Sequence, residues 1–480
     1  MNFQVKEGNY LKNKNNTKRI MTNYIIALVP LIIYSFYKNG ILACQDNFNI
    51  YTLFKPLIII ILATITTFAT EYFWYKIKTK NNDITHILKN TYSFIPGILL
   101  GLIIPINTPL LIVVFGSFMA SFIGKLIYGG FGKNIFNPAL IGRLFIIAAY
   151  SSIIIKNGGY LNAYEQTIDA ISKATPLTNL SNLKYVGTYQ NIVSPYGNLF
   201  NFIFGNIPGS LGETSAILCL VALIFLSYKK AIKWHISLYY IFTVFICTLI
   251  IGAFNGMGLW YPFFHILSGG LFFGAVFMAT DPVTSPVTIF GQKIYGIFLG
   301  TLTVLLRFLT PYPEGVLTSI LFLNLFIPFI NQISINVRFN KSLKTIYYIC
   351  IISLVLIISL IIALVVKKNS NIEEETTNLQ VINQEIIADK TIYEVNHKGF
   401  MGPTSIHARI TIENNQIIAI EILDTTDHYY DTMIKNTNYL DKLIKNQKNI
   451  DNVDAISGAT YTSNYLKELT KEILKYHGEL

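Results

Sequence analysis

Asp454-Ala455-Ile456-Ser457-Gly458-Ala459-Thr460 lies near the C-terminus, and Asp169-Ala170-Ile171-Ser172-Lys173-Ala174-Thr175 stands far upstream among apolar segments. The two heptads agree at every position but one, Lys173 standing where the later copy has Gly458. Chance rarely repeats such a string at matched spacing inside one chain. Each copy offers an acid, small side chains and a terminal hydroxyl on uncrowded backbone, which another macromolecule can grip. Ser457 is placed to cap a helix running to about Tyr476. Thr460 then falls in or near that helix's positive first turn, where a phosphate is favoured.

Around the first copy the chain reads as membrane protein. The 480 residues are 52% hydrophobic and 13% charged, a composition outside the usual soluble range. A net charge of +11 raises the question of nucleic acid. The placement of Lys and Arg in short loops between apolar runs marks membrane orientation instead, and no nucleic-acid partner is expected. Cys44, Cys219, Cys247 and Cys350 are far apart, and no pair has metal-ligand spacing. No zinc or iron–sulfur cluster is therefore expected on this chain alone. Residues 1–20 are polar and basic without a cleavable-signal pattern, which predicts a cytoplasmic N-terminal segment and an anchoring first span.

Eleven apolar segments can be read at about 22–37, 56–75, 92–105, 108–124, 140–155, 211–227, 235–253, 260–279, 294–310, 315–331 and 346–366. The third and fourth are short and separated by Pro105, as half-spans are. With the N-terminus inside, nineteen basic residues fall in inner loops, Lys125 and Arg143 among them, against five in outer loops, Lys38 among them. That asymmetry supports an odd number of crossings and puts Thr175 and everything after 366 on the outer side. Among charges inside apolar runs, Glu71 reads as snorkelling at a span end, and Arg307 is expected to face a partner or a phosphate. Glu213 and Asp281 are candidates for ion passage.

Beyond the last span, residues 368–389 read as a linker and 390–480 as a small α+β domain. Thr404–Glu413 and Ile417–Leu423 alternate around Asn414-Asn415, a hairpin signal. Amphipathic helices are predicted at about 430–447 and 462–476. The expected fold class is thus a polytopic α-helical membrane domain of about ten spans (21–335), an anchor helix (345–367) and this C-terminal α+β domain.

The later heptad resembles the Asp-x-x-Ser/Thr-Gly-Ala-Thr acceptor sequence of bacterial flavin transferases, which join FMN from FAD to the final Thr through a phosphoester. Its continuation Tyr461-Thr462-Ser463 looks like the FMN-binding domain of the RnfG and NqrC subunits. The upstream copy, followed by Pro176-Leu177, looks like the flavin site of RnfD and NqrB. Gly129-Gly130-Phe131-Gly132-Lys133-Asn134 leading into Asn137-Pro138-Ala139-Leu140 resembles an RnfD/NqrB segment associated with riboflavin and quinone-site inhibitors. The same resemblance covers Gly209-Ser210-Leu211-Gly212-Glu213-Thr214-Ser215 and Thr280-Asp281-Pro282-Val283-Thr284-Ser285-Pro286.

The resemblance implies a natural fusion of an RnfD/NqrB-like membrane subunit with an RnfG/NqrC-like FMN domain. It implies covalent FMN at Thr460 and Thr175, with Asp454, Ser457, Gly458, Asp169 and Ser172 completing the two acceptor strings. Gly129, Gly130 and Asn137 are implied riboflavin or quinone contacts, and Arg307 a flavin contact. No residue stands out for acid–base or nucleophilic catalysis. The implied role is a subunit of an ion-translocating oxidoreductase in a bacterial plasma membrane, with its C-terminal domain outside. It would pass electrons between flavins while Na⁺ or H⁺ is exported. Its partners would be other Rnf/Nqr-like subunits, including iron–sulfur membrane subunits, a flavin transferase for maturation, and membrane lipid. Two other classes remain: a flavin module passing electrons to an outer acceptor without pumping, and a secondary transporter with an extracellular domain. The latter would need a midplane polar site on paired broken helices.

Overall fold

A backbone surrounded by hydrocarbon has to satisfy its own N–H and C=O groups, so each apolar run folds as helix. The computed structural model describes residues 16–44, 48–78, 90–160, 175–310, 315–338, 341–375, 379–387, 390–398, 405–413, 416–425, 430, 434–435, 437–447, 450, 453–456 and 460–479. The chain divides into two units, Met1–Lys367 and Lys368–Leu480.

Among the described residues six helices are long and apolar enough to cross a bilayer: Thr17–Cys44, Ile50–Lys78, Pro138–Lys156, Trp234–Phe254, Ile289–Leu309 and Thr345–Lys367. Two pairs qualify only together and are bent, Trp260–Leu267 with Leu271–Met278 by 60° and Val316–Asn324 with Ile327–Val337 by 64°. Phe94–Ile103, Leu110–Leu126 and Ala216–Tyr228 are apolar but shorter. Length and composition thus give six crossing helices, or eight if each bent pair is one span, where the apolar runs alone suggest about ten and an anchor. The difference lies in the breaks. Phe94–Ile103 and the helix from Leu110 are separated by Ile104–Pro109, as the split third and fourth segments imply. Runs 260–279 and 315–331, by contrast, read as continuous in sequence and are bent in space.

Irregular backbone at these depths is covered by protein. The loop after Gly205 donates from Leu211 N–H to the Ile104 carbonyl at 3.1 Å and from Gly212 N–H to the Leu102 carbonyl at 2.7 Å. Between the helices, small residues permit close approach. A Cβ at Gly296 would meet the Ile236 carbonyl at 2.8 Å, and one at Gly300 the Thr243 Cβ at 2.6 Å.

The second unit is an antiparallel meander in the order β1 (Leu379–Ile387), β2 (Lys390–Lys398), β3 (Ser405–Glu413), β4 (Gln416–Thr425). The predicted hairpin is β3–β4. The expected linker 368–389, however, already contains β1, and the anchor helix extends over Lys341–Glu375. β1 escapes a periodicity reading because Asn383-Gln384-Glu385 interrupts its alternation, and a register shift between Val381 and Asn383 absorbs the irregularity. Tyr393, Val395, Ile406, Ala408, Ile410 and Ile412 point to one face, where Leu443, Leu466, Leu469 and Ile473 cover them. The helix predicted at 430–447 is shorter, Tyr439–Lys445, and the last one is Thr460–Glu479.

Position 397 of β2 belongs to the buried register, so an imidazole occupies a core position. The His397 side chain has no exposed surface, and its Nε2 lies 3.2 Å from a Glu472 carboxylate oxygen. Tyr465 donates its hydroxyl to the His397 carbonyl. Burial pushes the imidazole down to about 4, below the usual His value of about 6.5. As pH falls below about 6.5 the unfolded chain takes up the proton first. Stability present above that pH is then lost on the way to pH 4, by up to about 3 kcal/mol. Hydrogen exchange of β2 and of Thr460–Glu479, corrected for intrinsic rates, should therefore quicken from pH 7 to pH 5. In His397→Gln that part of the pH dependence should disappear.

Candidate functional site

Thr175 occupies the N-cap of the helix Pro176–Asn182: its backbone is extended and its Oγ1 accepts the Thr178 N–H at 3.3 Å. Pro176 at the first position pre-sets the helical φ, and the Thr175 and Thr178 hydroxyls lie 2.8 Å apart. Asp169 and Ser172 of the same heptad, with Lys173, lie outside the described residues.

This segment is laid on the break between Trp260–Leu267 and Leu271–Met278. Gly269 and Gly270 turn the chain with φ of +66° and +64°, which only glycine adopts at little cost. A Cβ on Gly269 would collide with Leu177 at 2.3 Å and lie 3.1 Å from the Arg307 guanidinium. Arg307 is fully buried and donates to the carbonyls of His265 at 2.7 Å and Ser268 at 3.1 Å. Those carbonyls end a helix, where a cation is favoured. The described partners of Arg307 are thus main-chain carbonyls of the break, close to the Thr175 segment. The cue in the sequence for this break is Ser268-Gly269-Gly270 in the middle of an apolar run.

On the other side of the break stands Glu213, whose carboxylate would meet a Cβ on Gly270 at 2.7 Å. It pairs with Arg143 at 2.9 Å, and both side chains are nearly covered. Together they line a recess of about 280 Å³ with Gly269, Gly270 and Phe273. A second buried pair joins Lys125 to Glu71 at 2.6 Å. Glu71 does not snorkel, as its place near a span end suggests: it is fully buried and neutralised by a residue 54 positions away. Lys38 is also buried, donating to the Ile207 carbonyl at 2.6 Å and the Thr214 hydroxyl at 3.1 Å. Lys38, Lys125 and Arg143 are therefore interior cations, although their places in the chain suggest loops. The excess of basic residues in the inner loops survives without them.

Gly129, Gly130 and Gly132 have φ of +108°, +97° and +85° and form the turn that precedes Asn137. Asn137 caps Pro138–Lys156 through Oδ1 and the Ala139 N–H at 3.1 Å, and its Nδ2 donates to the Met278 carbonyl at 3.4 Å. It lines an open cleft of about 520 Å³ with Tyr24, Tyr92, Lys125, Phe131, Asn134 and Asp281. Gly129 and Gly130 are not among the lining residues; they shape the turn that delivers Phe131 and Asn134. Lys125 donates to the Thr91 carbonyl at 2.7 Å, and its ammonium lies 5.6 Å from the centre of the Phe131 ring. Asp281 accepts from the Thr284 hydroxyl at 2.9 Å. Lys125 and Tyr92 carry no local signal in the sequence, since only folding brings them to Asn137.

In the second unit the last helix begins at Thr460. Ile456 donates its N–H to the Ser463 hydroxyl at 3.1 Å, and Tyr439 donates to the Ser463 carbonyl at 3.2 Å, tying Ile456 to the helix that follows it. Asp454 is exposed; Ser457 and Gly458 lie outside the described residues. Thr460 is therefore set at the helix's positive end.

These features define a polytopic membrane protein with interior ion pairs, joined to a small α+β binding domain. Residues 4–340 match the NQR2, RnfD, RnfE family, and residues 399–475 match the FMN-binding domain. The chain belongs to the NQR2, RnfD, RnfE family and carries an FMN-binding domain. It is 36% identical to a subunit of the proton-translocating ferredoxin:NAD(+) oxidoreductase complex of Clostridium ljungdahlii, over 70% of this chain and 96% of that one. Identity to the like-named subunit of the Na(+)-translocating ferredoxin:NAD(+) oxidoreductase complex of Acetobacterium woodii is 34%, over 69% and 93%. The like-named subunit of the ion-translocating oxidoreductase complex of Citrobacter koseri is 31% identical over 69% and 97%.

Breaking a buried pair strands a charge, whereas removing both partners does not. Lys125→Met should destabilise the membrane unit by about 3–5 kcal/mol, and adding Glu71→Leu should restore most of the loss. Thermal unfolding midpoints of the detergent-solubilised variants give the comparison.

Proposed function

We propose that this chain is the membrane electron-carrying subunit of an ion-translocating oxidoreductase, with FMN joined through phosphoester bonds to Thr460 and Thr175. The observation that carries the reading is the position of Thr460. It is the last residue of the duplicated heptad, the first of a helix, and part of the stretch matching an FMN-binding domain. Thr175 holds the equivalent place at the start of Pro176–Asn182.

The boundaries 1–20, 21–335 and 345–367 remain the proposed division of the membrane part. The proposed FMN domain of residues 390–480 is enlarged by β1. The excess of basic residues in inner loops supports an outer location for both threonines. NADH and ferredoxin would be oxidised or reduced by partner subunits, iron–sulfur membrane subunits among them, and a flavin transferase would load the two threonines. Exposed Ile61, Ile65, Ile224 and Phe242 on apolar helices present a surface for lipid.

Bound flavin supplies the one-electron chemistry, and the protein sets its position and surroundings. At Thr460 the helix start favours the phosphate, and the Ile456–Ser463 bond holds the preceding strand of chain in place. At Thr175 the chain supplies a docked helix start backed by Leu177 and Arg307. In the cleft, Asn134, Asn137 and Lys125 would offer donors, and Tyr92 and Phe131 aromatic faces, to a riboflavin or quinone ring. Outward Na⁺ or H⁺ movement coupled to electron passage belongs to the same proposal, with Glu213 and Asp281 as the candidate carboxylates.

A second reading, a secondary transporter with an appended domain, draws on the bent helix pair and the Arg143–Glu213 pair beside its break. In-gel flavin fluorescence decides between them. With a flavin transferase co-expressed, Thr175→Val and Thr460→Val should each dim the denatured band, and the double variant should be dark. Loss of signal only in Thr460→Val would leave a tethered FMN domain on a scaffold disabled at Lys173. A dark wild-type band would overturn the electron-carrier reading in favour of transport.

A further inference from the structure

The buried pair of Lys125 and Glu71 has a side that the ion pair itself does not use. Lys125 stands on Phe122–Leu126, a single turn wound more widely than an α-helix. Such π-type turns are rare and recur at functional sites. This one carries a lysine whose side chain is 2% exposed, in a layer where a charge is expensive. If packing were the only role, an apolar pair would fill the space at no greater cost.

An ammonium has three N–H donors. Lys125 spends two of them on the Glu71 carboxylate at 2.6 Å and the Thr91 carbonyl at 2.7 Å, and both acceptors belong to buried residues. Among the described residues no acceptor takes the third. On that side Lys125 borders the open cleft, with its ammonium 5.6 Å from the centre of the Phe131 ring, another lining residue. The other charge in the lining is Asp281, a carboxylate that accepts from the Thr284 hydroxyl at 2.9 Å and the Thr284 N–H at 3.3 Å. Much of the remaining lining is apolar, with Ile95, Pro96 and Leu99 in it. In a cleft of this kind a few placed polar groups fix the orientation of what binds. Lys125 is the charged donor among them.

We infer that Lys125 is the specificity-determining residue of this cleft, giving its third N–H to a ring carbonyl of the bound molecule, and that Glu71 is a positioning residue that fixes the ammonium from behind. The inference deepens the proposed role of the cleft and rests on a ring being bound there. It names the part of the ligand that is read, an uncharged carbonyl oxygen, which riboflavin and quinones both present. A charge-assisted hydrogen bond is stronger than a neutral one, and more so where the surroundings are apolar. Glu71 balances the charge, so the ammonium meets a neutral carbonyl without drawing in an anion.

The test uses the full chain carrying Thr175→Val and Thr460→Val, so that no flavin is tethered. Riboflavin and menadione, each isotopically labelled at its ring carbonyls, are added separately to the detergent-solubilised protein. Equilibrium dialysis gives the affinity, and infrared difference spectra give the carbonyl stretch. Whichever probe the parent binds should show a carbonyl band at lower wavenumber than in aprotic solvent. Lys125→Met combined with Glu71→Leu should weaken binding by roughly tenfold or more and return that band toward its free position. Glu71→Asp keeps both charges and draws the ammonium back, so it should lose less affinity and return the band in part. A role in packing alone leaves the band where the parent has it. Binding with an unshifted band, or a double variant whose band stays shifted, overturns the inference and leaves the cleft reading standing. Should the double variant fail to accumulate, parent-like affinity and band in Glu71→Asp overturn it equally. A parent that binds neither probe removes the cleft reading together with the inference.

Discussion

Everything in the membrane unit has to accommodate the break at Ser268-Gly269-Gly270, because opening a helix inside an apolar layer leaves carbonyls at one end and amides at the other without partners. The chain answers each end with a charge of the appropriate sign. Arg307 meets the carbonyl end through His265 and Ser268, and the Glu213 carboxylate lies against Gly270 at the amide end. A charge brought inside needs a counter-charge in turn, and for Glu213 that is Arg143. The break, its two charges and the ion pair form one connected device, and the Thr175 segment is docked on it through Leu177 and Tyr185.

A similar economy governs the cleft at Asn137. Its walls hold Lys125 and Asp281, and Lys125 is oriented by Glu71 and by the Thr91 carbonyl. The glycine-rich turn before Asn137 contributes geometry: three positive φ values swing Phe131 and Asn134 into place. The lining of this cleft therefore comes from side chains brought from several helices and not from the glycines.

The C-terminal domain solves a separate problem. Its sheet is covered on one face by helices, and the last of these starts at Thr460. The same helix carries Glu472 against His397 and Tyr465 against the His397 carbonyl. Helix and sheet core are thereby mechanically continuous within the unit.

Much of this could be read in the chain itself. Apolar run length dictates helices because lipid allows little else. The alternation around Asn414-Asn415 dictates the β3–β4 hairpin. Those are local signals, carried by neighbours in sequence. The bends at 268–270 and 325–326, the edge strand β1 within an apparent linker, and the burial of Glu71 and Arg307 are decided elsewhere. Glu71 meets Lys125 across 54 positions and Arg143 meets Glu213 across 70, and no periodicity records such a pairing. Sequence by itself determined which segments are apolar enough to fold as long helices, because that follows from short-range hydrophobicity. Only the tertiary structure decided which buried charges neutralise one another. The cost of an unpaired group in a low-dielectric interior depends on what folding places beside it.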